Sequence, residues 1–175
     1  VASDGLVQAL APSSGATRWR TTLPGTLLTI TWDNGWLLCS NATGDLAALR
    51  ASDGELVWRT ELGATLVGPP VAGLDRVYAP LDGGRVVSLD LATGARGWER
   101  VLPGRVMGLH AVASQLIVGT TGDAVFSLDL ASGRQRWRWR VGGDPAGPAA
   151  SDDRHIYFAA RDNVRIMERA KSPAV

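Results

Sequence analysis

Short apolar segments separated by polar turns run along the whole chain. Between residues 64 and 101, the segments Arg76–Pro80 and Arg85–Leu89 are separated by Asp82-Gly83-Gly84 and followed by the turn residues Asp90–Gly94. Polarity that alternates with a period of two, with turn residues at this spacing, predicts four short antiparallel β-strands in this segment. No part of the chain keeps an apolar period of 3.6 residues, so we expect little or no helix.

An eleven-residue pattern occurs four times in register. Each copy begins with Ala or Ser, has Gly at its seventh position and ends in Trp, and the four tryptophans are 39, 40 and 39 residues apart. The copies are Ala9, Gly15 and Trp19; Ala48, Gly54 and Trp58; Ser88, Gly94 and Trp98; and Ser127, Gly133 and Trp137. A fixed period of this length indicates a repeat architecture rather than a single irregular fold.

Four-stranded units of about 40 residues are typical of a β-propeller, whose blades are twisted sheets that stack on one another. The sequence therefore predicts an all-β fold of four-stranded antiparallel blades, with about four and a half repeats of 39–40 residues. We expect one partial propeller domain over residues 1–175. Its approximate blades are 1–24 (partial), 25–62, 63–102, 103–141 and 142–175 (partial).

The repeated glycine and tryptophan have structural reasons to recur. Glycine at the seventh position supplies the positive φ of a turn, and Asp90 and Asp129 can accept backbone N–H bonds there. Ala11 and Arg50 replace this aspartate in the first two copies, so we expect those turns to be less well held. A flat indole fills the wedge between diverging blades, where its neighbours must be small.

The pattern resembles the tryptophan-docking motif of the quinoprotein-type, PQQ-like β-propeller repeat family, and the resemblance covers essentially the whole chain. That family includes pyrroloquinoline quinone alcohol dehydrogenases and non-enzymatic BamB-like outer-membrane assembly proteins. The resemblance implies a ring of seven or eight blades, of which this chain would be a fragment. It also implies a location in the periplasm or cell envelope. Because the motif is architectural, it indicates the fold more firmly than the function.

The resemblance leaves three functions open. The first is a non-catalytic scaffold for protein–protein interaction, similar to the BamB-like members. The second is a segment of a quinone-dependent dehydrogenase, and the third is a ligand-sensing propeller attached to a signalling protein. The quinone site of the family's enzymes contains a vicinal Cys-Cys pair, whereas Cys39 is the only cysteine here. We therefore expect no enzyme activity and no cofactor in this segment.

Composition excludes several kinds of site. The net charge of +1 gives no general attraction to nucleic acid, and no apolar run is long enough to span a membrane. His110 and His155 lie in different blades without a second histidine at ligand spacing, so we expect no metal site. The arginines of Arg134–Arg140 alternate with Trp137 and Trp139, which we interpret as the solvated edge of an outer strand.

One face of the propeller is a candidate for partner binding. Strands A to D of a blade alternate in direction, so the B–C turns and the D–A loops lie at the same face, where propellers commonly bind partners. The candidate residues on this face are Asp82, Arg85, Arg105, Asp123, Arg161 and Asp162. The partner would be another protein or the missing blades of the same propeller.

The two ends of the chain carry incomplete blades. The first contributes its two outer strands and the last its first three strands, which would leave a surplus strand if they were combined. We therefore expect an open arc of blades with apolar faces at its ends. Such faces favour association, so the isolated segment is predicted to self-associate.

Overall fold

The computed structural model describes residues 5–160 and 163–168. Arg161 and Asp162, two of the candidate partner-binding residues, lie outside the described residues. Within them the structure is almost entirely β: seventeen strands, and one three-residue 3-10 turn at Asp82–Gly84. The predicted all-β class is confirmed.

The strands form five antiparallel sheets, which we number in chain order. The first sheet holds β1 (Gly5–Leu10) and β2 (Thr17–Leu23). The second holds β3 (Leu27–Asp33), β4 (Trp36–Asn41), β5 (Asp45–Arg50) and β6 (Leu56–Glu61). The third holds β7 (Val71–Gly73), β8 (Arg76–Leu81), β9 (Arg85–Asp90) and β10 (Arg96–Val101). The fourth holds β11 (Val106–Val112), β12 (Gln115–Thr120), β13 (Ala124–Asp129) and β14 (Gln135–Arg140). The fifth holds β15 (Ala150–Ser151), β16 (His155–Ala160) and β17 (Asn163–Glu168).

The three four-stranded sheets share one topology, in which each strand pairs with the next along the chain. We label their strands A to D. The first sheet corresponds to strands C and D, and the fifth to strands A to C. The first and fifth sheets are separate in the described structure, so the strands at the two ends do not form one common blade.

Strand A is shorter in the third and fifth sheets than the repeat predicts. β7 has three residues and β15 has two. Pro69, Pro70 and Pro148 lie just before these strands and have no N–H to donate to a ladder. Isolated bridges from Leu66 and Pro145 continue the pairing upstream of the prolines.

Stacking of the sheets forms the core. Alternating apolar residues give each sheet two apolar faces, and a separate buried cluster lies between each pair of successive sheets. Leu38 and Leu46 face the third sheet, for example, whereas Cys39 and Leu49 face the first. A sheet of this kind is stable only when it is packed between neighbouring sheets. Because successive strands are antiparallel, the turns of all the sheets lie in two opposite layers.

Candidate functional site: the loop face

The B–C turns and the D–A loops meet at one face, which we call the loop face. In three sheets the backbone N–H that follows strand D donates to a carbonyl of the B–C turn. The pairs are Leu62 to Gly44 at 2.8 Å, Leu102 to Gly84 at 2.9 Å and Val141 to Asp123 at 3.2 Å. These repeated bonds hold the loop face in one arrangement.

Asp123 occupies a backbone position that glycine occupies in the other two four-stranded sheets. Its φ is +67°, beside +89° at Gly44 and +75° at Gly84. Aspartate tolerates this conformation better than most residues, and here the Asp123 carboxylate accepts the N–H of Gly143 at 2.7 Å. That bond is the main cause that lowers the pKa of Asp123. The predicted partner-binding residue therefore ties its turn to the next loop.

Asp82 and Arg85 flank the short turn between β8 and β9. The Asp82 side chain is turned back to accept the N–H of Gly83 at 2.8 Å. Arg85 forms an ion pair with Glu99 on the fourth strand of the same sheet, with 2.7 Å between Nε and Oε1. This pair lowers the pKa of Glu99. Arg85 thus links two strands, while Asp82 is exposed on the loop face.

Arg105 is exposed in the loop before β11. Its backbone N–H donates to the Thr121 hydroxyl at 2.9 Å, and its carbonyl accepts the N–H of Thr121 at the same distance. Its guanidinium reaches the sulfur of Met107 at 3.7 Å. The loop is therefore held by its backbone, and the charged end of Arg105 projects from the loop face. The loop that carries Arg105 contacts both turns, since Leu102 donates to Gly84 between Asp82 and Arg85, and Thr121 donates to Arg105.

A buried polar cluster on the second sheet was not predicted. Asp45 is buried, and its carboxylate accepts bonds from Arg59 at 2.7 Å and from the Asn41 side chain at 2.8 Å. Burial by itself raises the pKa of Asp45, but the bonds from Asn41 and Arg59 outweigh it and lower the pKa. Asn41 also donates to the carbonyl of Pro24 at 3.0 Å. The cluster therefore holds the loop between the first two sheets in place. In the sequence, the only indication of this cluster is that this copy of the repeat has polar residues at these positions.

The repeated tryptophans each contact the following sheet. Three indole N–H groups donate to backbone carbonyls there: Trp19 to Ala51 at 3.1 Å, Trp58 to Leu91 at 2.8 Å and Trp98 to Leu130 at 2.9 Å. Their rings cover the glycine of the next copy: Trp19 covers Gly54, Trp58 covers Gly94 and Trp98 covers Gly133. Trp137 differs, since its N–H donates to Gln115 of its own sheet at 3.3 Å.

A second repeated contact lies two residues after each of these tryptophans. Thr21, Thr60 and Arg100 each donate to the carbonyl of the covered glycine in the next sheet, at 2.5, 2.8 and 2.9 Å. The sequence does not show this column as a repeated residue type, because threonine and arginine have only a side-chain hydrogen-bond donor in common. Strands β2, β6 and β10 are therefore each joined to the next sheet by two hydrogen bonds as well as by the indole.

Other reactive residue types lie between sheets or inside them. His110 and Ser151 come together across the fourth and fifth sheets, with 2.9 Å between Nε2 and Oγ. Burial lowers the pKa of His110. Cys39 is buried, which raises the pKa of its thiol to about 11. Among residues 5–160 and 163–168, His, Cys, Asp and Glu form no group of three suited to a metal ion.

The arginine-rich strand β14 has the predicted alternation. Trp137 and Trp139 pack against the cluster shared with the fifth sheet. On the other side, Arg136 pairs with Asp129 at 2.6 Å, and Arg138 lies 5.3 Å from the centre of the Phe126 ring. No helix in the described ranges is long and apolar enough to cross a membrane.

Comparisons with known proteins agree with this architecture. A family model described as outer membrane protein assembly factor BamB matches residues 3–151, and it matches again over residues 82–170. The chain belongs to this BamB family. No curated protein matches the chain in sequence.

Solved structures share the fold of this BamB-family chain. BamB from Moraxella catarrhalis has a TM-score of 0.84 and 20% identity, over 94% of this chain and 56% of that one. Saccharomyces cerevisiae Sqt1 has a TM-score of 0.78 and 15% identity, over 96% and 53%. The computationally designed Ika8 protein has a TM-score of 0.78 and 13% identity, over 95% and 53%. The chain thus spans about half the length of these structures.

Proposed function

We propose that this chain is a non-catalytic propeller scaffold that binds protein partners through its loop face. The observation that carries the proposal is the match to the BamB family model over residues 3–151 and 82–170. The model's description, an outer membrane protein assembly factor, supports a role in the cell envelope where such proteins are assembled.

The loop face suits this role because its backbone is held while the charged residues Asp82 and Arg105 are exposed. Hydrogen bonds between turns and loops fix both segments: Leu102 donates to Gly84 in the turn after Asp82, and the Arg105 backbone donates to Thr121. Binding residues on loops held by a rigid framework lose little conformational freedom when a partner docks. One acidic and one basic residue on neighbouring sheets offer a partner a defined charge pattern.

Quinone chemistry is not part of the proposal. The family's quinone enzymes place a vicinal cysteine pair at the cofactor, and this chain has only Cys39. That cysteine lies inside the second sheet, where it packs against the first. The chain therefore offers no counterpart to the cysteine pair of the quinone enzymes.

Site-specific crosslinking tests the proposed face. A photoreactive residue would be placed at position 82 or position 105 in cells that have an outer membrane, with position 75 as the matched control. Asp75 lies in an A–B turn, which is at the opposite face because successive strands are antiparallel. We expect crosslinks to an envelope assembly protein from positions 82 and 105 only. Equal crosslinking from position 75, or none from either candidate, would contradict the proposal.

A further inference from the structure

The outer strand of the fourth sheet concentrates positive charge. β14 contains three arginines and no acidic residue, and Arg134 lies directly before it. The outer strands β6 and β10 of the second and third sheets each contain one glutamate as well as arginine. β2, the outer strand of the first sheet, has two arginines and no acidic residue. Within the described ranges, β14 is therefore the outer strand with the largest positive charge.

The arginines of β14 lie on the side of the sheet that faces the third sheet. Trp137 and Trp139 pack with the cluster shared with the fifth sheet, and successive side chains of a strand point to opposite sides. Arg138 is opposite Phe126 in the ladder, and Phe126 belongs to the cluster shared with the third sheet. The third and fourth sheets both have four strands, so the charged side is bounded by two complete blades.

Most of this charge has no partner among the described residues. Arg136 forms an ion pair with Asp129, with 2.6 Å between the two side-chain atoms. Asp123 attracts Arg140 but does not form an ion pair with it. In the described part of the chain, the exposed arginines of this segment that form no ion pair are Arg134, Arg138 and Arg140.

The backbone edge of β14 is open as well as charged. In the described structure β14 pairs with β13 alone, so the N–H and C=O groups on its other edge have no strand partner. Arginines on such an edge discourage a neutral or basic strand from pairing with it. A strand with carboxylates at alternate positions has the opposite effect, because its charges recur at the same spacing of roughly 7 Å as the arginines.

We propose that the open edge of β14 binds an extended acidic segment of another protein, which pairs with the edge as a further strand. Aspartate or glutamate at alternate positions of that segment lies opposite Arg138 and Arg140, while the two backbones form the ladder. The edge runs along the outer strand rather than at the loop face, so this contact is additional to the one proposed above.

Two contacts prepare the charged side for such a segment. The Arg138 guanidinium lies 5.3 Å from the centre of the Phe126 ring, which holds it along the sheet before a partner arrives. Arg100 of the third sheet donates to the carbonyl of Gly133 at 2.9 Å, which places a further cation beside the start of β14. Nucleic acid fits this edge less well, because it has no peptide backbone to continue the ladder.

Fluorescence anisotropy with labelled peptides and the full chain tests this contact. The probe is a peptide of about ten residues in which Glu alternates with Thr, long enough to span β14. We expect a Kd of about 1–100 µM at low salt. A peptide with Gln in place of Glu lacks the charge. A peptide with Pro in place of Thr keeps the charge but cannot form a regular ladder. Each should bind at least about tenfold more weakly.

Protein variants locate the contact on β14. The double variant Arg138→Gln and Arg140→Gln should weaken binding of the Glu–Thr peptide at least about fivefold. The matched control is the double variant Arg18→Gln and Arg20→Gln, which removes the same charge from β2. Arg20 has the same place after the repeated tryptophan as Arg138, and all four side chains are exposed. The control should change the affinity by less than about twofold.

Four results would overturn the proposal. The first is no binding of the Glu–Thr peptide at about 1 mM, and the second is equal binding of the peptide that contains proline. The third is an equal loss of affinity in the β2 variant, which would show a response to net charge rather than to β14. The fourth is equally tight binding of a single-stranded oligonucleotide of the same charge, which would show that strand pairing contributes nothing.

Discussion

The indole of Trp98 has a complete set of contacts in the wedge between the third and fourth sheets. Its N–H donates to Leu130, its ring covers Gly133, and the Tyr78 ring centre lies 5.6 Å away. An aromatic ring held on both sides contributes buried area and one hydrogen bond together. The stabilising role of the repeated tryptophans is a prediction that mutation can test.

Trp98→Ala should destabilise the protein strongly. Loss of a packed ring leaves a cavity between two four-stranded sheets, and we expect a cost of about 3–5 kcal/mol. Trp32→Ala is the matched control, because Trp32 is 65% exposed and should cost little in the single chain. Trp36 lies outside the repeated column, so Trp36→Ala should also lower the free energy of unfolding less than Trp98→Ala does. Urea denaturation measures all three, and the reverse order would refute the assigned role.

Two glycines at the same place in the repeat separate backbone strain from tryptophan contact. Gly133 and Gly15 have φ of +67° and +69°. A Cβ at Gly133 would lie 2.5 Å from Cδ2 of Trp98, whereas a Cβ at Gly15 meets nothing within 4 Å. Gly133→Ala should therefore cost about 1–3 kcal/mol more than Gly15→Ala. Equal losses of stability in urea denaturation would show that the indole does not need glycine beneath it.

At the scale of the element, the turn between strands C and D is held by aspartate in two sheets. Asp90 accepts the N–H of Thr93 at 2.8 Å, and Asp129 accepts the N–H of Ser132 at 2.9 Å. The bonds to Asp129 from Arg136, and then from Ser132, lower its pKa to about 2. These contacts match the capping expected from the sequence.

Because of the Asp129 turn, the stability of the protein should depend on pH in the acidic range. The pKa of this carboxyl is lower in the folded chain than in the unfolded chain, so its ionised form stabilises the fold at neutral pH. That contribution is lost as pH falls from about 4 towards 2. Asp129→Asn should reduce the pH slope of the unfolding free energy in this window, and Arg136→Gln should reduce it partly. An unchanged slope in Asp129→Asn would contradict the assignment.

At the scale of the whole molecule, the stack of sheets is expected to bind no pyrroloquinoline quinone. The only cysteine is buried within the stack, and the seven tryptophans report binding through their fluorescence. Titration with quinone and calcium should leave that fluorescence unchanged after correction for absorption by the quinone. Saturable quenching at micromolar quinone would overturn this expectation and favour the dehydrogenase alternative.

The sequence predicted the repeating unit but not the contacts between its copies. The spacing of Gly54 and Trp58 indicated one blade, but not that Trp19 would cover Gly54 of the following copy. The donor column at Thr21 and Thr60 escaped notice because arginine replaces threonine in the third sheet. The contact of His110 with Ser151 joins residues 41 positions apart, and no periodic signal connects them.

The amino-acid sequence by itself determined the class of fold, the strand order within each sheet and the place of the turns. These follow from local patterns, because alternation, turn glycines and a period of about 40 residues each act over short distances. Tertiary structure alone decided which side chains project from the loop face and which are tied into it, as Arg105 and Asp123 show. It also decided that Ile30 is exposed while Leu109 is buried, since burial depends on the neighbouring blade rather than on the residue itself.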